Sequence, residues 1–122
     1  MLSKIRLELA RTADHPQGAH DIGYEFTAPL DANGHIDANA WSNLRSRCRV
    51  RRFRPNEQDD IGHLVHRPGG SWAFHYDIKS DEEEDEAGYR FNNHVFRQGE
   101  YVSIKEDDEL RTFHVVRIEP VR

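Results

Sequence analysis

Apolar residues recur at every second position in segment after segment of this chain, and that spacing is the signature of half-buried strands. Ile5, Leu7 and Leu9 alternate with Lys4, Arg6 and Glu8. Ile22, Tyr24, Phe26, Ala28 and Leu30 share one strand face, with Glu25 and Thr27 on the other. Trp72, Phe74, Tyr76 and Ile78 line a third strand, and Val102 and Ile104 a fourth. A strand apolar on one side only must turn that side toward a common core.

The intervening residues supply more strands and the turns between them. Pro16 and Gly18 mark a loop, and Asn33-Gly34 is read as a turn with positive φ angles. Asp37 is a suitable N-cap for a helix over Ala38–Arg47, on which Trp41, Leu44 and Cys48 form one apolar stripe. Such a helix is too short to persist alone and must dock on the sheet. Cys48–Phe53 reads as a strand, with a bulge near Arg51-Arg52 turning Cys48, Val50 and Phe53 all inward. Gly62–His66 and Ser71–Lys79 form a hairpin closed by Pro68-Gly69-Gly70. Tyr89–Phe91 is a short strand, and Val95-Phe96 a further apolar anchor. Glu100–Lys105 and Leu110–Glu119 make a last hairpin turning at Asp107-Asp108. Its second strand is apolar on both sides, as an inner strand is.

The expected fold is mainly β (α+β): a small antiparallel β-barrel or strongly curved sheet of about seven strands, with one short covering helix. The expected core is Ile5, Leu7, Leu9, Tyr24, Phe26, Leu30, Trp41, Leu44, Val50, Trp72, Phe74, Val102, Ile104, Phe113 and Val115. A chain of 122 residues fits a single domain spanning 1–122. Only 36% of it is apolar and 32% is charged, yet Trp41, Trp72 and the many Phe and Tyr residues argue against global disorder. Cys48 is the sole cysteine, so no internal disulfide can form and a reducing, cytoplasmic setting is expected. Met1–Ala10 has no continuous apolar stretch of the kind a secretory signal needs. No stretch approaches the roughly 20 apolar residues that span a bilayer, so no membrane partner is expected.

Charge is segregated along this β-rich chain. Arg45, Arg47, Arg49, Arg51, Arg52 and Arg54 stand within ten residues that hold no acid, and Asp81–Glu86 is an unbroken acidic run. The net charge is −5; without that run, worth −6, the rest of the chain carries +1. The acidic run is expected to tip a mobile loop near 79–88, because adjacent carboxylates repel one another. Lys4, Lys79 and Lys105 are the only lysines among seventeen basic residues, and arginine favours bidentate contacts to phosphate or carboxylate. Arg45, Arg49, Arg51, Arg52 and Arg54 are therefore the candidate binding strip. Its expected partner is an anionic macromolecule, a nucleotide or a protein. The competing role is internal, with the same arginines paired to acids such as Glu25, Glu57 or Asp60.

The spacing of Arg47 to Arg51, and of Arg45 to Arg49, resembles the RxxxR segment of PilZ domains, which implies a cyclic dinucleotide as ligand. The second PilZ element, DxSxxG, has no counterpart: Asp59-Asp60-Ile61-Gly62 lacks the serine and its spacing.

Other chemistries have little purchase. His63 and His66 are three apart and would face opposite sides of a strand, whereas His63 and His75 could be cross-strand neighbours. A metal site needs three or four converging ligands, and none is expected. The acidic run lacks the alternating ligands and central glycine of a calcium loop. Cys48 lies on an apolar stripe, where a thiol is structural rather than nucleophilic. No P-loop, GxGxxG, HExxH or GxSxG motif occurs, so no cofactor and no reaction is assigned. Two functions follow: a non-enzymatic binding module using the arginines, or a ligand-binding barrel, with room for a weak enzymatic activity, whose cavity is lined by Tyr24, Phe26, Trp72, Phe74 and Tyr76.

Overall fold

The computed structural model describes residues 1–77, 94–106 and 109–121, and the backbone of 86–89. Among the described residues the strands are β1 (Leu2–Leu9), β2 (Ala19–Pro29), β3 (Arg49–Phe53), β4 (Asp60–His66), β5 (Trp72–Tyr76), β6 (Glu86–Tyr89), β7 (Tyr101–Glu106) and β8 (Glu109–Pro120). They pair antiparallel in sequence order, and β8 returns to β1, closing a barrel. Closure removes the exposed sheet edges on which strands of other chains could add. Among the described residues there is one α-helix, α1 (Ala38–Leu44), which continues as a 3₁₀ turn over Arg45–Arg47.

The alternating faces pack as the pattern demands. Ile5, Leu7, Leu9, Tyr24, Phe26, Val50, Trp72, Phe74, Val102, Ile104, Phe113 and Val115 are all buried in one cluster, joined by Leu30 and Trp41. Leu44, expected in the core, is half-buried and packs against it from the end of α1. Phe96, in the segment after β6, is buried against Phe26 with ring centroids 5.8 Å apart.

Two strands depart from simple alternation, each for its own reason. In β8, Phe113 and Val115 face the core but so, further on, does Ile118. The pairing shows why: Arg6 lies opposite Arg117 and Leu7 opposite Val115, so Val116 is an extra residue on β8. That bulge switches which parity faces inward, which accounts for the apolar residues on both sides. In β3 the expected bulge is absent, since Gly23, Tyr24, Glu25 and Phe26 pair one to one with Phe53, Arg52, Arg51 and Val50. Phe53 therefore stays on the outer face with Arg51. It is buried there because the guanidinium carbons of Arg6 and Arg51 lie 4.4 and 5.1 Å over its ring.

The helix is started by Asp37, whose side chain accepts from the Ala40 N–H at 3.1 Å. The preceding turn is held by Asp31, which accepts from the N–H groups of Asn33 and His35, and Gly34 alone takes positive φ. The helix ends at Leu44, three residues short of the expected Arg47, and Cys48 is buried just beyond the 3₁₀ turn. Trp41 ties the helix to the barrel. Its ring packs edge-on to Trp72 at 5.4 Å, and its indole N–H donates to the Leu64 carbonyl at 3.1 Å.

Of the acidic run, Glu86 opens β6, while Asp81–Asp85 lie outside the described residues, as do Asp107 and Asp108 of the expected last turn. The expectation of a mobile loop thus falls mostly outside the described residues.

Candidate functional site

Strand alternation divides the candidate arginines before any ligand is considered. Arg49 and Arg51 point outward from β3, whereas Arg52 sits opposite Tyr24 on the inner face. Arg54 follows the strand. Arg45 caps the C-terminal end of α1, ahead of β3 in the chain. The five residues do not form one strip.

Inside the barrel, Arg52 is 12% exposed and its Nη2 lies 3.3 Å from Glu106. Glu106, only 5% exposed, also accepts from the Tyr24 hydroxyl and lies 3.3 Å from Arg111. A carboxylate this deep is tolerable only when it is paired and hydrogen-bonded, and both conditions are met. Arg52 serves the interior.

On the outer wall, Glu25 collects cations. Lys4 is 3.2 Å away, Arg6 3.5 Å, and Arg51 and Arg117 each 3.7 Å. Burial works to raise the Glu25 pKa, but the Lys4 hydrogen bond and the charges of Lys4, Arg51 and Arg6 outweigh it, and the net shift is downward. Arg51 also bonds Asp59 at 2.9 Å, and that hydrogen bond, with Glu25, raises the Arg51 pKa. Arg54 pairs with Asp60 at 2.7 Å and Glu57 at 3.4 Å. Glu25, Glu57 and Asp60 are the acids expected as internal partners, and Asp59, which was not among them, is the closest partner of Arg51.

Arg49 belongs to a different group. His63 and His75 are cross-strand neighbours across the Pro68-Gly69-Gly70 hairpin. The Arg49 guanidinium donates to His63 Nε2 at 2.6 Å and to Asp77 at 3.0 Å. His63 Nδ1 lies 3.1 Å from the other oxygen of Asp77. Since guanidinium only donates, Nε2 must accept and the ring proton sits on Nδ1, facing Asp77. No group of three or more His, Cys, Asp and Glu side chains among the described residues could hold a metal.

Beside this group runs a groove of about 510 Å³, between the end of α1 and strands β4 and β5. It is lined by Trp41, Arg45, Ser46, Leu64 and Val65 together with His63, His66 and His75. His66 stacks on Trp72 at 4.2 Å, so its floor is aromatic. The exposed Arg45 guanidinium lies 4.7 Å over the Trp41 ring. Among the described residues no carboxylate stands within ion-pair distance of it. Arg45 is thus the one candidate arginine that is positioned by a ring rather than by an acid. Sequence reasoning named Arg45 but missed its setting: Trp41 is far in sequence from the β4–β5 hairpin that carries His66 and His75, and meets it only because its ring reaches His66 and Trp72 from α1.

The aromatic set of the alternative site fills the barrel. Tyr24 and Phe26 stand 5.3 and 5.2 Å from the Phe74 ring, and Phe113 lies edge-on to Tyr24 at 5.1 Å. Trp72 and Tyr76 are buried with them. Cys48 is likewise buried, and loss of water pushes its thiol pKa up to about 11, well away from nucleophilic use.

No protein-family model, curated protein or solved structure matches this chain, the short PilZ-like arginine segment included. Among the described residues no helix is long and apolar enough to cross a membrane.

Proposed function

We propose that this protein is a small cytoplasmic, non-enzymatic binding module that receives an anionic partner in the groove beside α1. The observation that carries the reading is Arg45. It is exposed, held over Trp41, free of any carboxylate among the described residues, and set at the rim of an aromatic-floored groove whose lining contains no acid. In a chain with 22 acidic and 17 basic residues, a cation left to a ring rather than an acid is an available charge. Arg49 stands at the neighbouring edge through His63. Arg51, Arg52 and Arg54 are, by contrast, engaged within the fold and support rather than contact the partner.

The test is a titration of tryptophan fluorescence with a single-stranded dT oligomer and, separately, with poly-glutamate. Trp41 lies under Arg45, so occupation of the groove should alter its emission. At least one polyanion should bind at low salt, bind progressively more weakly as salt is added, and lose about tenfold or more in affinity in Arg45→Ala. Failure of both to bind, or binding unaffected by Arg45→Ala, overturns the proposal.

A further inference from the structure

The wall opposite that groove, where β8 meets β1 around the closed barrel, carries a second one of about 580 Å³. Its lining includes Arg11, Gln17, Tyr101, Thr112 and His114, and contains no carboxylate. We propose that this groove is a separate binding site for a small anion that carries a planar aromatic ring.

Three features point to that chemistry. The first is a flat surface: Tyr101, on the outer face of β7, is 61% exposed. It stands directly across from His114 on β8, with ring centroids 6.1 Å apart at 38°. An exposed tyrosine beside an imidazole offers a face on which a ring can stack. The second is charge: Arg11 is exposed, and among the described residues no carboxylate pairs with it. The third is order in the loop that carries Arg11. The Ala10 N–H donates to the Thr112 carbonyl at 3.0 Å. Thr12 and Gly18 both donate backbone N–H bonds to the His15 carbonyl, each at 2.9 Å. Gly18 has φ +73°, and a Cβ there would fall 2.7 Å from the Leu9 carbonyl oxygen, so the loop folds tightly back on β1. Arg11 is therefore presented from a pinned loop, next to the ring pair, with the Gln17 amide and Thr112 hydroxyl as neighbouring polar groups. A ring without charge would leave Arg11 unused, and an anion without a ring would leave Tyr101 unused.

Adenosine 5′-monophosphate is the probe, with adenosine and inorganic phosphate as separate arms, each followed by amide chemical shifts of the ¹⁵N-labelled protein. Adenosine 5′-monophosphate should saturably shift the amides of Arg11, Gly18, Tyr101 and Thr112. Adenosine and phosphate alone should each bind about tenfold or more weakly than the nucleotide, and so should the nucleotide to Arg11→Ala or Tyr101→Ala. Both side chains are exposed, so these variants keep the fold. Arg45→Ala should leave this binding unchanged, which separates the site from the groove beside α1. The proposal is overturned if the nucleotide leaves these amides unshifted, if Arg11→Ala binds it like the wild type, or if phosphate alone binds as well as the nucleotide.

Discussion

Replacing Glu106 by Gln should destabilise the barrel far more than any change to the outer arginines. The carboxylate is 5% exposed, accepts from the Tyr24 hydroxyl, and is shared by Arg52 and Arg111, each at 3.3 Å. Removing its charge deprives two guanidinium groups of the anion they share, one of them facing the barrel interior. Breaking a buried pair in this way costs about 3–5 kcal/mol. Gln still accepts from Tyr24, so Glu106→Gln belongs at the lower end, about 3 kcal/mol. Glu106→Leu loses that acceptor too and should cost about 1–3 kcal/mol more. The outer comparison is Arg49→Ala: both Arg49 and Asp77 are more than two-fifths exposed, and such a pair contributes about 0–1 kcal/mol. Urea unfolding at pH 7, followed by far-ultraviolet circular dichroism, gives the three values, with an unchanged m-value as the check that unfolding stays two-state. A loss below about 1 kcal/mol for Glu106→Gln, level with Arg49→Ala, would refute the argument that this cluster is an internal pairing made necessary by burial.

Three further outcomes follow from the same geometry. Phe26→Ala, which removes a ring packed on Phe74 and Phe96, should cost about 3–5 kcal/mol; a thermal melt like that of the wild type would contradict its place in the core. Cys48, with its pKa pushed up to about 11 by burial, should stay unmodified by a disulfide reagent at pH 8 until urea unfolds the chain, and rapid native modification would contradict its burial. Glu25 has a folded pKa below its ordinary 4.5, so its contribution to stability is full above pH 4.5 and is lost as pH falls through the lowered value. The stability gap between wild type and Glu25→Gln should accordingly narrow on acidification, and a gap that widens would contradict the cation cluster around it.

The fold was legible because burial in a barrel is written directly into period-two alternation, and nearly every residue expected in the core lies there. Legibility failed where register, not composition, decides. The Val116 bulge cannot be seen without its partner strand, since it is defined by Arg6 and Leu7 facing Arg117 and Val115. Phe53 was expected inside because it is apolar; it lies outside, covered by Arg6 and Arg51, because cationic side chains can bury a ring on a surface. The same one-residue parity separates Arg52 from Arg51. An arginine-rich strand reads as one strip in sequence, while the pleat sends alternate guanidinium groups to opposite sides of the wall. The grooves were least legible, since Trp41 with His66, and Arg11 with Tyr101, are neighbours only through strand pairing and loop return.

The central claim is that an anionic partner occupies the groove beside α1, and amide and indole chemical shifts of the ¹⁵N-labelled protein test it most directly. On addition of the dT oligomer or poly-glutamate at low salt, the Trp41 indole N–H, Ser46, Leu64 and His66 should shift together and saturably, and these shifts should vanish in Arg45→Ala. Shifts that instead centre on Arg51, Arg54 and Arg117, or that persist undiminished in Arg45→Ala, would contradict it.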